Sequence, residues 1–324
     1  MAAGRGYNTQ VAIGDEVAWG VEQPRTGLLL CTSVADDDNR PIITTPRIDG
    51  LYEEDTDEVL DIATGLPVFG LACRYGGAWL KILKHLFGGV TTSTPDPTTA
   101  PTARQHDFTL LEAALPGLSV EVYKENPGAL TNAYLYTGCR VVSANFGFNM
   151  GSILTFGANL IGKSPADETK TTGLVASASK LVRPTESVIT WNSGSVVAKS
   201  LSLQVNLGVA PQTGLGFATI GEPRKEQKTV VSGDIVCEFE NADMYNDFKA
   251  ATARQLLVTC TGPVIAGAFY NSLRLTMPFV RLRGKMPNVS GPGPVMQSIP
   301  FSAKVDVSNP LPLAIRVVNT DTSI

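Results

Sequence analysis

Hydrophobic and polar positions alternate with a period of two along much of the chain. In residues 230–239, Val231, Ile235, Cys237 and Phe239 fall on one side, and Ser232, Asp234 and Glu238 on the other. That is the pattern of a strand with one buried face. Residues 201–207 repeat it, with Leu201, Leu203, Val205 and Leu207 opposing Ser202, Gln204 and Asn206. Residues 118–123, LSVEVY, are a third case. Residues 152–160 and 273–280 are further predicted strands, and Pro278 in the latter marks a bulge or an edge. Two stretches switch to helical spacing. Residues 77–87 carry Trp79, Leu80, Leu83 and Phe87 and are stopped by Gly88 and Gly89; residues 242–256 carry Met244, Tyr245, Phe248 and Ala251, with Asp243 placed to cap the first turn.

The order of these elements repeats. A strand at 65–73 leads into the helix at 77–87, then come the strand 118–123, a turn at Tyr136-Thr137-Gly138 and a strand at 152–161. In the second half, 233–239 leads into the helix at 242–256, followed by strands at 273–280 and 296–305. Each half opens on a strand, 9–13 and 201–207, followed by a long loop bearing Pro and Gly. The competing account is that β-rich chains resemble one another by chance. The resulting division is a first β domain at 1–165, a polar linker at 166–190, a second β domain at 191–308 and a C-terminal tail at 309–324. The tail is apolar at Leu311, Leu313, Ile315 and Val317, as for an edge strand offered to a neighbour. Residues 91–105, TTSTPDPTTAPTARQ, read as a mobile surface loop.

Composition adds one constraint. Apolar residues make up 43% of the 324, an ordinary globular share, but charged residues only 17%, against roughly 25% in a typical soluble domain. Surface poor in charge is surface that something covers, and self-association is the simplest cover. A net charge of -4 argues against a sequence-reading DNA binder, whose affinity comes from phosphate contacts, while leaving room for a conduit through which DNA slides. Five scattered cysteines without a C-x-x-C pair suit free thiols in a reducing compartment. The N-terminus lacks a signal pattern, and no stretch approaches the ~18 apolar residues of a membrane span, so synthesis in the cytoplasm without a membrane partner is expected.

Candidate chemistry is sparse. Residues 157–164, GANLIGKS, match the P-loop pattern. That chemistry needs a loop between a strand and a helix, so that backbone N–H groups face phosphate. Here the glycines sit at the end of a predicted strand, and Pro165 and a polar stretch follow. His85 and His106 lack relay partners in the sequence, and the acidic clusters lack the spacing of a calcium loop. Arg281 and Arg283 share one strand face, with Arg274 and Lys285 nearby. No aromatic residues interleave to stack bases, so pairing with acidic groups of a neighbouring subunit is the favoured reading. No catalytic, cofactor-binding or metal-binding residue is assigned, and the chain is not expected to be an enzyme.

A family resemblance lies in the order of several segments. Gly14-Asp15-Glu16-Val17-Ala18-Trp19-Gly20 followed by Pro24, the helix end Leu86-Phe87-Gly88, His106-Asp107-Phe108-Thr109, Tyr136-Thr137-Gly138-Cys139 and the stretches 152–162 and 224–239 together resemble the tail tube (major tail) proteins of long-tailed siphophages. The resemblance covers most of the chain. It implies a mainly β, tail-tube-type sandwich or barrel with short flanking helices, which the repeated order of elements described above would duplicate in one chain. Rings of it would stack in the virion tail, with inner sheets joined into one barrel around DNA and a tape-measure protein. Tail terminator and distal tail proteins would meet the ends, and assembly would occur in the host cytoplasm. The ring is a trimer with pseudo-sixfold symmetry if the duplication holds, and a hexamer otherwise. The alternative is another virion part of related fold: a terminator, a baseplate component or a head decoration protein. Within this frame, the apolar residues of the two long loops are the inter-ring stacking candidates: Ile42, Ile43, Ile48 and Leu51 in the first, Leu215, Phe217 and Ile220 in the second. Glu121, Asp234 and Glu238, on polar strand faces, are the lumen-lining candidates, because like charge keeps a polyanion off the wall.

Overall fold

The computed structural model describes residues 6–44, 58–111, 116–125, 132–239, 242–284, 294–305 and 310–324. The fold is mainly β, with long antiparallel sheets and two helices, in keeping with a β-sandwich. In a first sheet, Leu118–Tyr123 lies between Gln10–Asp15 and the beginning of Ala133–Asn149. Gly27–Leu29 extends this sheet on one side and Ala166–Glu168 on the other. Ala133–Asn149 spans 17 residues. Its register shifts between Val141 and Ser143, and there it passes into a second sheet. A bulge bends and twists a strand locally, which lets one strand serve both layers.

The second sheet runs, by neighbours, Cys31–Ala35, Val68–Ala72, Thr155–Ile161, Ala133–Asn149, Ala198–Asn206, Val230–Glu238, Met296–Ala303 and Phe269–Leu282. Every pairing is antiparallel. Phe269–Leu282 is also long, 14 residues, and its first part leaves for an outer layer between Arg254–Ala266 and Ala314–Asn319. The register shift opposite Pro278 is the predicted bulge.

Alternation decides which face is buried. Val231, Ile235 and Cys237, with Leu201, Leu203 and Val205, point into a core shared with Phe146, Phe156 and Phe301. The helix Trp79–Phe87 closes that core with Trp79, Leu80, Ile82, Leu83, Leu86 and Phe87, and ends where Gly88 turns left-handed at φ 81°. Trp79 meets the Phe156 ring at 5.3 Å, and Phe156 meets Phe146 at 5.0 Å. The second helix, Asp243–Lys249, stops well short of the predicted residue 256. Ala251 takes φ 50° and a strand starts at Arg254. The period-two set Leu256, Val258 and Cys260, all fully buried, outweighs the helix propensity of 251–256. Asp243 is the first helical residue, after an N-cap at Ala242, so it does not cap the turn as predicted.

Three expectations about the connections are corrected. Residues 91–105 are not a loose loop: Thr91–Ser93 pairs with Arg104–Thr109, and Ala100 and Ala103 are fully buried. The polar stretch 166–190 is not a free linker, since Ala166–Glu168 joins the first sheet, Val182 is buried and Ser187–Trp191 pairs with Arg254–Ala266. Nor is the C-terminal tail free to reach a neighbour. Ala314–Asn319 lies between Arg104–Thr109 and Phe269–Leu282, with Leu313, Ile315 and Val317 buried.

Candidate functional site

The face of the second sheet that turns away from the core is the most distinctive surface of the molecule. The strand registers place its side chains in rows. One row reads Ala72, Thr155, Gly147, Ser202, Asp234, Pro300. The next reads Gly70, Gly157, Asn145, Gln204, Ser232, Ser302 and, on the last strand, Arg281, and a third reads Val68, Asn159, Ser143, Asn206, Val230. This wall, mostly small or uncharged polar groups with Asp234 among them, crosses strands from both halves of the chain. Its polar groups engage one another: Asn159 Nδ2 donates to Ser143 Oγ at 2.8 Å, and Ser298 Oγ donates to Asp234 Oδ2 at 2.9 Å. Glu238 pairs with Lys199 at 2.7 Å. Gly157 leaves room for the opposite amide, because a Cβ there would stand 2.2 Å from Asn145 Oδ1.

Of the lumen candidates, Asp234 and Glu238 lie on this wall and Glu121 does not. Glu121 is fully buried in the first sheet, where Arg25 Nε and the Thr171 N–H each donate to it at 2.8 Å. Leu118–Tyr123 is covered on both faces, so the alternation that put Glu121 on an outward side misleads.

Both long loops leave the same edge of the wall, after Ala35 and after Asn206. Ile42 and Ile43 are exposed on Ile42–Thr44, which pairs only with Glu58–Leu60 among the described strands. Val59 and Leu60 are exposed as well. Leu215 is fully exposed and Phe217 nearly half exposed, whereas Ile220 is buried and anchors its loop to the body, which removes it from the stacking candidates. Ile48 and Leu51 lie outside the described residues. A family model described as phage tail tube protein matches residues 6–303.

The chain belongs to the phage tail tube protein family.

No curated protein matches it. As a tail tube protein it is a structural component of the virion tail that assembles with itself into a tube. The P-loop-like residues are spent on this architecture. Thr155–Ile161 is a strand in the middle of the wall, and Lys163 lies 4.6 Å over the Trp19 ring.

The segment 14–20 that carries part of the family resemblance is a corner built on two carboxylates that sequence reasoning did not assign. Glu16, nearly fully buried, accepts from the Gly138 N–H at 2.7 Å, the Gly20 N–H at 2.7 Å and Ser119 Oγ at 3.0 Å. Asp15 faces the first helix, 2.8 Å from His85 Nε2 and 3.0 Å from Lys81 Nζ. Burial works to raise the Asp15 carboxyl, but the His85 hydrogen bond and Lys81 more than offset it and hold it well below the usual carboxylate range. Burial likewise pushes the His85 imidazole below 6.5, against the opposing pull of Asp15 and Glu16 and together with Lys84. His106, buried between Thr92 and Asn319, is lowered for the same reason, against Asn319 and Asp321 and together with Arg104.

The sign of the pH dependence follows. Each histidine has a lower pKa folded than unfolded, so the unfolded chain binds protons first as pH falls through 6.5. Stability is then lost on acidification, and Asp15 adds a further loss in stronger acid. Urea midpoints are expected to fall between pH 7.5 and pH 5, and a His85→Gln/His106→Gln variant to show a shallower fall. Equal wild-type midpoints at both pH values would mean that the two rings are not held neutral.

Proposed function

We propose that the neutral polar wall is the lining of a channel for DNA and the tape-measure protein, and that stacked rings of the chain conduct DNA from capsid to host. The observation that carries this reading is the continuity of the wall over six strands, from Val68–Ala72 to Met296–Ala303, on which Lys199 is paired with Glu238 and the exposed Arg281 stands only at the edge beyond. Small neutral side chains that hydrogen-bond one another offer a polyanion few places to stick, and Asp234 and Glu238 add mild repulsion. The exposed apolar residues Ile42, Ile43, Leu215 and Phe217 reach the next ring. Tail terminator and distal tail proteins meet the two ends, and assembly takes place in the host cytoplasm.

The same wall supports a duplicated chain. Cys31–Ala35, Val68–Ala72, Thr155–Ile161 and Ala133–Asn149 stand in the same neighbour order as Ala198–Asn206, Val230–Glu238, Met296–Ala303 and Phe269–Leu282. In both sets a helix follows the second strand. A ring of such chains is a trimer with pseudo-sixfold symmetry. Electron microscopy of purified protein is the test. Long tubes with threefold cross-sections are expected; strict sixfold symmetry at side-chain detail would favour the hexamer. Closed rings that never lengthen would point to a terminator, and a lumen lined mainly by Lys and Arg would overturn the conduit.

A further inference from the structure

We infer that the wall continues from chain to chain through one specific seam. The outer edge of Cys31–Ala35 receives the edge of Phe269–Leu282 beyond Val280, in the register that a seam inside the chain already displays. The inference rests on the tube reading and adds the residues that close the ring.

Two edges end the wall. Cys31–Ala35 pairs with Val68–Ala72 on one side, and no described strand pairs with its other side. Phe269–Leu282 is held at Val280, Arg281 and Leu282 by Met296–Ala303 on one side. On the other side, Arg254–Ala266 follows it only as far as Val280. Arg281 to Gly284 therefore present an unpaired edge among the described residues. Such an edge is a template for strand addition.

The internal seam shows what fits there. Ala133–Asn149 has the same plan: Leu118–Tyr123 follows it as far as Cys139, and beyond that point Ser143 to Asn149 pair with Asn206 to Ser200. The registers give the correspondence. Val141 opposite Leu160 matches Val280 opposite Ala303, and Ala144 opposite Ala158 matches Leu282 opposite Phe301. Continuing the strand, Phe146 matches Gly284. On the receiving side, Leu203 joins the row of Gly233 and Phe301, as Val34 joins the row of Phe69 and Ala158. The pair Phe146–Leu203 of the internal seam thus becomes Gly284 of one copy opposite Val34 of the next, and Leu282 falls opposite Asp36.

Charge and space agree. Across the internal seam, Arg140 of the long strand bonds Glu222 and the Pro223 carbonyl in the loop after the receiving strand. At the open seam, the donor edge carries Arg281 and Arg283, both exposed, and the loop after the receiving strand opens Asp36-Asp37-Asp38. Asp36 is engaged by Lys124 and Asp38 by Arg40, while Asp37 is exposed. Along the open edge runs a groove of about 730 Å³ whose walls include Val11, Leu29, Cys31 and Val34. Its counterpart at the internal seam, walled by Ile189, Val196 and Leu201, measures about 420 Å³, with Phe148 and Leu154 of the crossing hairpin on its other side.

A register-specific cross-link tests the seam. Gly284 accepts a side chain, because the nearest atom to an added Cβ, Phe248 Cγ, is 3.8 Å away. In a Cys31→Ser background, Val34→Cys with Gly284→Cys is expected to form disulfides between copies on oxidation of assembled tubes, with a covalent ladder that ends at the trimer. Val34→Cys with Arg283→Cys, one residue out of register, is expected to lose the ladder. Tubes that form without a cross-link in the first pair, or with equal cross-linking in both, would overturn the seam and leave the tube reading intact. Wild-type protein that forms no tube would overturn both. If the cysteine pair does not fold, charge reversal decides. Arg281→Glu with Arg283→Glu is expected to lose assembly and Asp37→Lys to restore it; assembly unaffected by the reversal would overturn the seam.

Discussion

Replacing Ile42, Ile43, Val59 and Leu60 together with serine is expected to give a folded subunit that no longer forms tubes. The ladder pairs Ile42 with Leu60 and Ile43 with Val59. Successive side chains of a strand point to opposite faces, so this two-stranded ribbon is apolar on both. The four side chains are 52–66% exposed and gain little from their own chain. An isolated two-stranded hairpin is marginal in water, so its apolar residues make sense against a neighbour. Full burial of one aliphatic side chain is worth about 1.5–3 kcal/mol. Realising half of that at four positions gives about 3–6 kcal/mol per hairpin, or roughly two to four orders of magnitude in each association constant. The subunit itself should lose little, because exposed substitutions usually change stability by about 0.5 kcal/mol or less. Circular dichroism melts should therefore be near wild type while tubes vanish from micrographs. Normal tubes from the serine variant would exclude this hairpin from the stacking contact.

The largest effect on folding is expected at Arg25. Its side chain is 9% exposed and its partner Glu121 is fully buried. Arg25→Met leaves the carboxylate with the Thr171 N–H and hydroxyl but no cation. Stranding a buried charge in this way costs about 3–5 kcal/mol, a large part of a typical domain's stability. A double variant, Arg25→Met with Glu121→Leu, removes both charges and should recover most of the loss, since an apolar pair of similar volume often replaces a buried ion pair at little cost. Urea unfolding separates the cases. A single variant within about 1 kcal/mol of wild type would show that Glu121 reaches water once the guanidinium is gone.

The parts of the fold that could be read from the chain are those with one dry and one wet face. Val230–Glu238 and Ala198–Asn206 alternate cleanly because one side meets the core and the other forms the wall. Leu118–Tyr123 has the same alternation, but Ser119 and Glu121 find Glu16 and Arg25 where solvent was expected. Local pattern reports side-chain polarity and cannot report a second layer brought by distant sequence. Ala314–Asn319 could be read as a strand, yet its partners at Arg104–Thr109 and Phe269–Leu282 are long-range choices that spacing does not encode. In residues 91–105 the order comes from small contacts: Asp96 accepts from the Thr98 and Thr99 N–H groups, and buried alanines replace larger apolar anchors. Of the proposed site, the outward position of Asp234 and Glu238 and the exposure of Ile42 and Ile43 followed from residue type and place in the chain, while their roles belong to the proposal. The neutral wall was not, because serine, asparagine and glycine become a surface only when the registers line them up.

The pairing of Ser143 to Asn149 with Ser200 to Asn206 is made within one chain. Separate molecules making the same contact would surrender translational and rotational freedom, about 4–15 kcal/mol per association. A tether limits that loss to a loop-closure term that grows only with the logarithm of its length. This contact therefore holds at any dilution. In the ring proposed above, fewer independent encounters complete the closed assembly, and incomplete arcs, which expose reactive sheet edges to one another, become rarer intermediates.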